Sequence, residues 1–186
     1  AAAVDLTQTQ LKGVIKTPNA GTVYYKWIYG DGGESLVSSV GGSTKYDVAV
    51  DHAYSAAEGT PFTAQLCVDD VDNTMANALC DNYLVQITPD NLDFRVNIVI
   101  DRGLWYLYTH PQHDGYSHMD GGVGSMNGRP VWMWRSYGNN DASATGTAIQ
   151  AFEITNHKEV NDPNHDPYAE AVAGGLNWLM NGTYSG

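Results

Sequence analysis

The sequence predicts a β-sandwich over residues 1–88 followed by a small α-helical repeat region over residues 89–186. Two changes of pattern carry that reading. Before Thr88-Pro89-Asp90, short runs alternate apolar and polar residues between Gly, Asn and Asp punctuation. After it, apolar residues recur at the three-to-four spacing of a helix face.

The strand-like runs are Leu11 to Lys16, Thr22 to Tyr29, Lys45 to Val50, Phe62 to Val68 and Tyr83 to Ile87. Val23, Tyr25 and Trp27 alternate with Tyr24 and Lys26. Phe62, Ala64, Leu66 and Val68 alternate with Thr63, Gln65 and Cys67. Period two places one set of side chains on a single buried face. Gly30-Asp31-Gly32-Gly33 and Val71-Asp72-Asn73 carry turn chemistry. Cys67 and Cys80 flank an expected hairpin tip and read as a disulfide formed in an oxidising compartment, two buried free thiols being the alternative. Closing so short a loop would stabilise the domain by roughly 3 kcal/mol on the chain-entropy estimate.

Three pieces in this order, Trp27-Ile28-Tyr29-Gly30-Asp31-Gly32, His52-Ala53-Tyr54 and Phe62 through Asp70, resemble a PKD domain. That family is a small immunoglobulin-like sandwich common on secreted and surface proteins. The resemblance covers about residues 5–88. It implies a core position for Trp27, a tight corner at Gly30-Asp31-Gly32, and a hairpin turn at Gly59 after His52 and Tyr54. Tyr29 stands where the family often has Phe, and a long Gly/Ser loop separates Gly32 from Lys45. His52 is expected to be a structural hydrogen-bonding residue.

In the second half, Val96, Ile100, Leu104 and Leu107 define one helix face, although Phe94, Val96, Ile98 and Ile100 also alternate as a strand would. Ala144, Ala148, Ile149 and Phe152 define a second helix, begun near Asp141 or Ser143. Tyr168, Val172, Leu176 and Leu179 define a third, with Pro167 at its start. Aligning Arg102–Tyr108 on Gly174–Met180 superposes a Gly and two Leu, as in a repeat array. The segments Gly103–Leu107, Ala148–Glu153 and Tyr168–Val172 resemble the α/α-toroid repeats of the terpenoid-cyclase and prenyltransferase-like group. A closed toroid takes about a dozen helices and three are predicted here. Either the sequence is part of a longer protein or neighbouring copies cover the exposed helix face.

A formal charge of -12 argues against nucleic acid and anionic lipid as partners. Only 16% of residues are charged while 12 are Tyr and 20 are Gly, which excludes a disordered acidic tail and suits a secreted β-rich protein. No apolar run reaches about 18 residues, so no membrane span is expected. The sequence as given opens without a signal peptide, so any leader is expected to have been removed.

Asp69, Asp70, Asp72 and Asn73 place four oxygen-bearing side chains in five loop positions, a candidate for Ca2+, the one cofactor the sequence suggests. An EF-hand reading from Asp70 fails at Met75, where glycine is needed. The segment His110–Asp120 holds three His and two Asp, which could bind a transition metal or simply form an exposed loop. Asn161–Asp166 reads as a loop whose last residue caps the third helix. Trp132, Trp134 and Tyr137 form a possible binding surface, since alternation could turn one indole outward. No residue is assigned a catalytic role: there is no Gly-x-Ser-x-Gly elbow, and nothing singles out a carboxylate pair.

These features predict a secreted or cell-surface protein of bacterial type, a structural or filament subunit whose partners are other copies of itself or other surface proteins. The alternatives are a fragment of a secreted toroid enzyme acting on polysaccharide or lipid, and a carbohydrate-binding adhesin with a glycan partner.

Overall fold

Alternating burial is realised as seven strands in the first half of the computed structural model, which describes residues 2–4, 8–110, 124–126, 129–134 and 141–181. They are β1 (Ala2–Val4), β2 (Gln8–Lys16), β3 (Val23–Ile28), β4 (Ser38–Val40), β5 (Lys45–Ala53), β6 (Pro61–Asp69) and β7 (Leu79–Thr88). A five-stranded sheet runs β1-β7-β6-β3-β4, and a two-stranded sheet joins β2 to β5. All pairs are antiparallel except β1 with β7.

The two sheets share one core. Leu11, Ile15 and Val48 come from the small sheet; Val23, Trp27, Ala64, Leu66, Val85 and Ile87 come from the large one. Each of the Val, Leu and Ile side chains contributes roughly 1.5–3 kcal/mol on leaving water. Gly13 on β2 sets how closely the sheets approach. A Cβ there would lie 2.5 Å from the Leu66 Cδ2, so a larger residue would displace that side chain, while the Trp27 ring at 3.5 Å is in ordinary contact distance.

The predicted disulfide is present. Cys67 on β6 lies directly opposite Cys80 on β7 in the antiparallel register, which pins that register against slippage.

Three helices follow: α1 (Leu92–Thr109), α2 (Asp141–Ile154) and α3 (Tyr168–Asn181). Between α1 and α2 lies a short hairpin, β8 (Gly124–Met126) with β9 (Arg129–Val131), that the sequence pattern did not announce. The chain divides into two compact units, Ala1–Val99 and Ile100–Gly186, a boundary that falls inside α1. Among the described residues, no helix is long and apolar enough to cross a membrane.

The predicted face of α1 is split. Leu104 is buried with Trp105 and Tyr108, but Val96 and Ile100, expected on the same covered face, are exposed along with Leu92 and Val99. The proposed internal repeat is likewise not used twice in the same way. Gly103 has open space where a Cβ would be, whereas its counterpart Gly175 lies under Ile149. In the second unit α3 packs on α2 and also on β9, so this half is a mixed helix-and-hairpin assembly and not a plain stack of helix pairs.

Asp166 caps α3 as expected: its backbone carbonyl accepts from Ala169 N–H and its carboxylate from Tyr168 N–H, with Pro167 between. The same carboxylate accepts from Asn161 Nδ2 at 2.7 Å and faces His157 Nδ1 at 3.0 Å, which ties the α2–α3 connection to the helix start.

Replacing both cysteines (Cys67→Ser with Cys80→Ser) should cost roughly 3 kcal/mol. Guanidinium unfolding of the variant should match that of the dithiothreitol-reduced native chain.

Candidate functional site

The densest set of polar and aromatic interactions in the first unit lies at the corner after β3. Gly30 and Gly32 adopt φ of 84° and 97°, which L side chains rarely take. The two glycines differ in their surroundings. A Cβ on Gly30 would lie 2.4 Å from the Thr63 carbonyl oxygen, while nothing lies within 4 Å of one on Gly32. Gly30 therefore brings the corner against the β6 backbone, and Tyr29 N–H donates to the Gly33 carbonyl at 2.9 Å to close it.

The closed corner holds Asp31 at a fixed point. One carboxylate oxygen accepts from Gly33 N–H at 2.9 Å; the other lies 2.7 Å from Nε2 of His52, near the end of β5. The His52 ring stacks on Tyr29 at 3.7 Å between centroids and meets Tyr54 edge-on at 4.7 Å. Tyr54 is fully buried, and its hydroxyl donates to the Tyr29 carbonyl at 3.1 Å. Burial, with the Asp31 charge nearby, pushes its hydroxyl up to about 12. Burial also tends to raise the Asp31 carboxyl. The His52 and Gly33 hydrogen bonds outweigh that and hold it below the usual carboxylate range.

An Asp–His pair can orient a general base. Among the described residues, however, no hydrogen bond joins His52 to a Ser, Thr or Cys side chain, and one ring face is covered by Tyr29. The geometry is that of a clamp joining the β3 corner to the end of β5, the structural role expected for His52.

The acidic run after β6 is organised around backbone donors. Asp69 is buried, with one oxygen accepting from Val71 N–H at 2.8 Å and the other from Asn77 N–H at 3.0 Å. Asp72 accepts from Thr74 N–H and its hydroxyl, and these bonds hold its carboxyl below the usual range. Asp70 and Asn73 are exposed. Among the described residues, no three His, Cys, Asp or Glu side chains gather as a metal site. Met75 takes a left-handed φ of 59°, at the position where the EF-hand reading needed glycine. His113, Asp114, His118 and Asp120 lie outside the described residues, as does Tyr137.

Trp132 and Trp134 are both buried, at 1% and 4% exposure, and neither presents a ring to solvent. Trp132 stacks on Tyr108 and occupies the space above Gly174, where a Cβ would lie 2.1 Å from its ring. Trp134 Nε1 donates to the Leu107 carbonyl at 2.9 Å. The fully buried Thr145 hydroxyl accepts from Trp134 N–H and donates to its carbonyl. The alternation that suggested one outward ring was read from a segment that is not a strand, so it did not fix the two faces.

No protein-family model matches the chain, and no curated protein matches it. Among solved structures it is similar to the PKD domain of an M14-like peptidase from Thermoplasmatales archaeon SCGC AB-540-F20. Identity is 16% and the TM-score 0.37, over 47% of this chain and 84% of that one. These comparisons give no support to the toroid resemblance of the helical half.

Substitutions at the corner should separate its constraints. Gly32→Ala should cost about 1–2 kcal/mol for the left-handed backbone alone. Gly30→Ala should cost clearly more in urea unfolding, because the Thr63 backbone must also move. Asp31→Asn should cost about 1–2 kcal/mol at neutral pH, a modest figure because the pair is partly screened by solvent. The folded-state value of Asp31 is depressed, so its contribution is present above about pH 4. It is lost as pH falls through the lowered value, and the variant's stability should converge on the native chain's below that point.

Proposed function

We propose that the chain is an extracellular assembly protein, a surface or filament subunit built on a PKD-like sandwich that associates with other copies of itself. The observation that carries this reading is the N-terminal half of α1. Leu92, Val96 and Val99 fall on one helix face at successive-turn spacing, and they are 75%, 47% and 69% exposed. A contiguous aliphatic stripe on a helix is the kind of surface a protein covers with a partner. Scattered single exposed residues would not carry the same weight.

Two further features support the setting. The Cys67–Cys80 disulfide suits an oxidising compartment outside the cytosol. The Gly30-Asp31-Gly32 and His52-Ala53-Tyr54 pieces meet at one corner, which supports a PKD-like reading. The net charge of -12 would keep such a subunit soluble between encounters and leave apolar contact to drive association.

Light scattering after size exclusion tests the reading. The native chain should exceed its 20.2 kDa monomer mass increasingly with concentration. The triple variant Leu92→Ser, Val96→Ser, Val99→Ser should associate at least tenfold more weakly. A native chain that stays monomeric at every concentration overturns the assembly role.

A further inference from the structure

The exposed stripe on α1 continues beyond the three residues that carry the assembly reading. From Leu92, the intervals to Val96, Val99, Gly103 and Tyr106 are four, three, four and three residues. That is heptad spacing, whose members stay on one line when two helices wind together. All five positions are exposed, Tyr106 at 62%. The line runs the fourteen residue steps from Leu92 to Tyr106, about 21 Å at 1.5 Å per step. Leu104, Trp105 and Tyr108, which α1 buries, lie on the other side of the helix.

Gly103 stands inside this line, and no internal contact calls for glycine there. Glycine weakens a helix interior relative to alanine. On α3 the absence of a side chain is used, since a Cβ on Gly174 or Gly175 would meet Trp132 or Ile149. Nothing lies within 4 Å of a Cβ on Gly103. A bare position on an exposed seam lets another helix come close. One turn further, the Tyr106 ring stacks on His110 at 4.3 Å between centroids, which holds the ring in place. A held ring beside a bare position supplies the knob and the hole that paired helices exchange.

Two observations name the occupant. A heptad line is completed by another heptad line, and α1 is the described helix that leaves one uncovered. α2 buries Ala148, Ile149 and Phe152, and α3 buries Tyr168, Ala169 and Val172. The second observation is charge. α1 sets Asp93 and Asp101 against Arg95 and Arg102, so it is neutral in a chain of net charge -12. Two copies can meet along α1 without the repulsion that acidic surfaces would impose.

We propose that α1 is covered by α1 of a second copy, paired along Leu92, Val96, Val99, Gly103 and Tyr106. This rests on the assembly reading and names the partner of that same stripe. Both chains use one face, so the contact is isologous and closes at two copies. The seam is two heptads long. Free-standing coiled coils sustain roughly three to four, so this pairing is reversible and depends on concentration.

Cross-linking of the full chain tests it. The two native cysteines are joined to each other, so one added thiol is unique. Val99 is the midpoint of the line and lies near its counterpart whichever way the two helices run. Val99→Cys treated with a short bismaleimide should give a covalent dimer whose yield rises with protein concentration. Asn97→Cys, exposed on another side of α1, should give at least tenfold less. Gly103→Glu provides a second readout. It should raise the melting temperature of the dilute monomer, since glutamate favours helix and its Cβ meets nothing. In light scattering the same variant should associate at least tenfold more weakly than the native chain. The α1 pairing is overturned, and the assembly role stands, if the native chain associates but Val99→Cys cross-links no better than Asn97→Cys. Native-strength association of Gly103→Glu has the same meaning. A native chain that stays monomeric at every concentration overturns both.

Discussion

The close approach of Leu66 to Gly13, beside the Trp27 ring, is the constraint on which the first unit depends. Leu66 reaches from one sheet to within 2.5 Å of where a Cβ would stand on the facing strand, and the missing side chain supplies that room. Any larger residue at position 13 would push the sheets apart or displace Leu66, and the surrounding aliphatic contacts would loosen with them. The second unit uses the same device: Gly174 on α3 leaves room for Trp132, and Gly175 for Ile149. Each unit places a large apolar side chain, Leu66 in the first and Trp132 in the second, where a neighbouring element has surrendered its Cβ.

The β3 corner follows from that packing. With Trp27 fixed in the core, the chain must turn within a few residues to leave the sheet, and Gly30 lets it do so against the Thr63 backbone. The turn delivers Asp31 to His52, and the Tyr29 and Tyr54 rings in contact with that imidazole close the clamp. What looks in isolation like half of a catalytic arrangement is a polar seam holding two distant stretches of chain together.

The strands of the core were legible because burial on one face leaves a period of two, as in Val23-Tyr25-Trp27 and Ala64-Leu66. β1, β4 and the β8–β9 hairpin were not. Each strand is three residues long, and Ser38-Ser39-Val40 or Gly124-Ser125-Met126 has no room for a period to show. The helices were legible in extent but not in burial. Spacing identified Val96 and Ile100 as a face, yet spacing does not say whether anything lies against it. At the corner, the residues of the clamp were visible as motif pieces, but the pairing of Asp31 with His52 spans 21 positions and belongs to the fold. The buried indoles at 132 and 134 were misjudged for a similar reason, since their covers, Gly174 and the Leu107 carbonyl, lie far away in sequence.

The disulfide also has a mechanical meaning. Cys67 and Cys80 are 13 positions apart and sit side by side on neighbouring strands. If the domain is stretched from its ends, tension passes through the sulfur bridge and bypasses the chain between them. At roughly 3.3–3.6 Å per residue, about 40 Å of contour stays hidden until the bond is reduced. In a surface subunit under load, the acidic loop after β6 would be the one stretch of the sandwich that force cannot draw out.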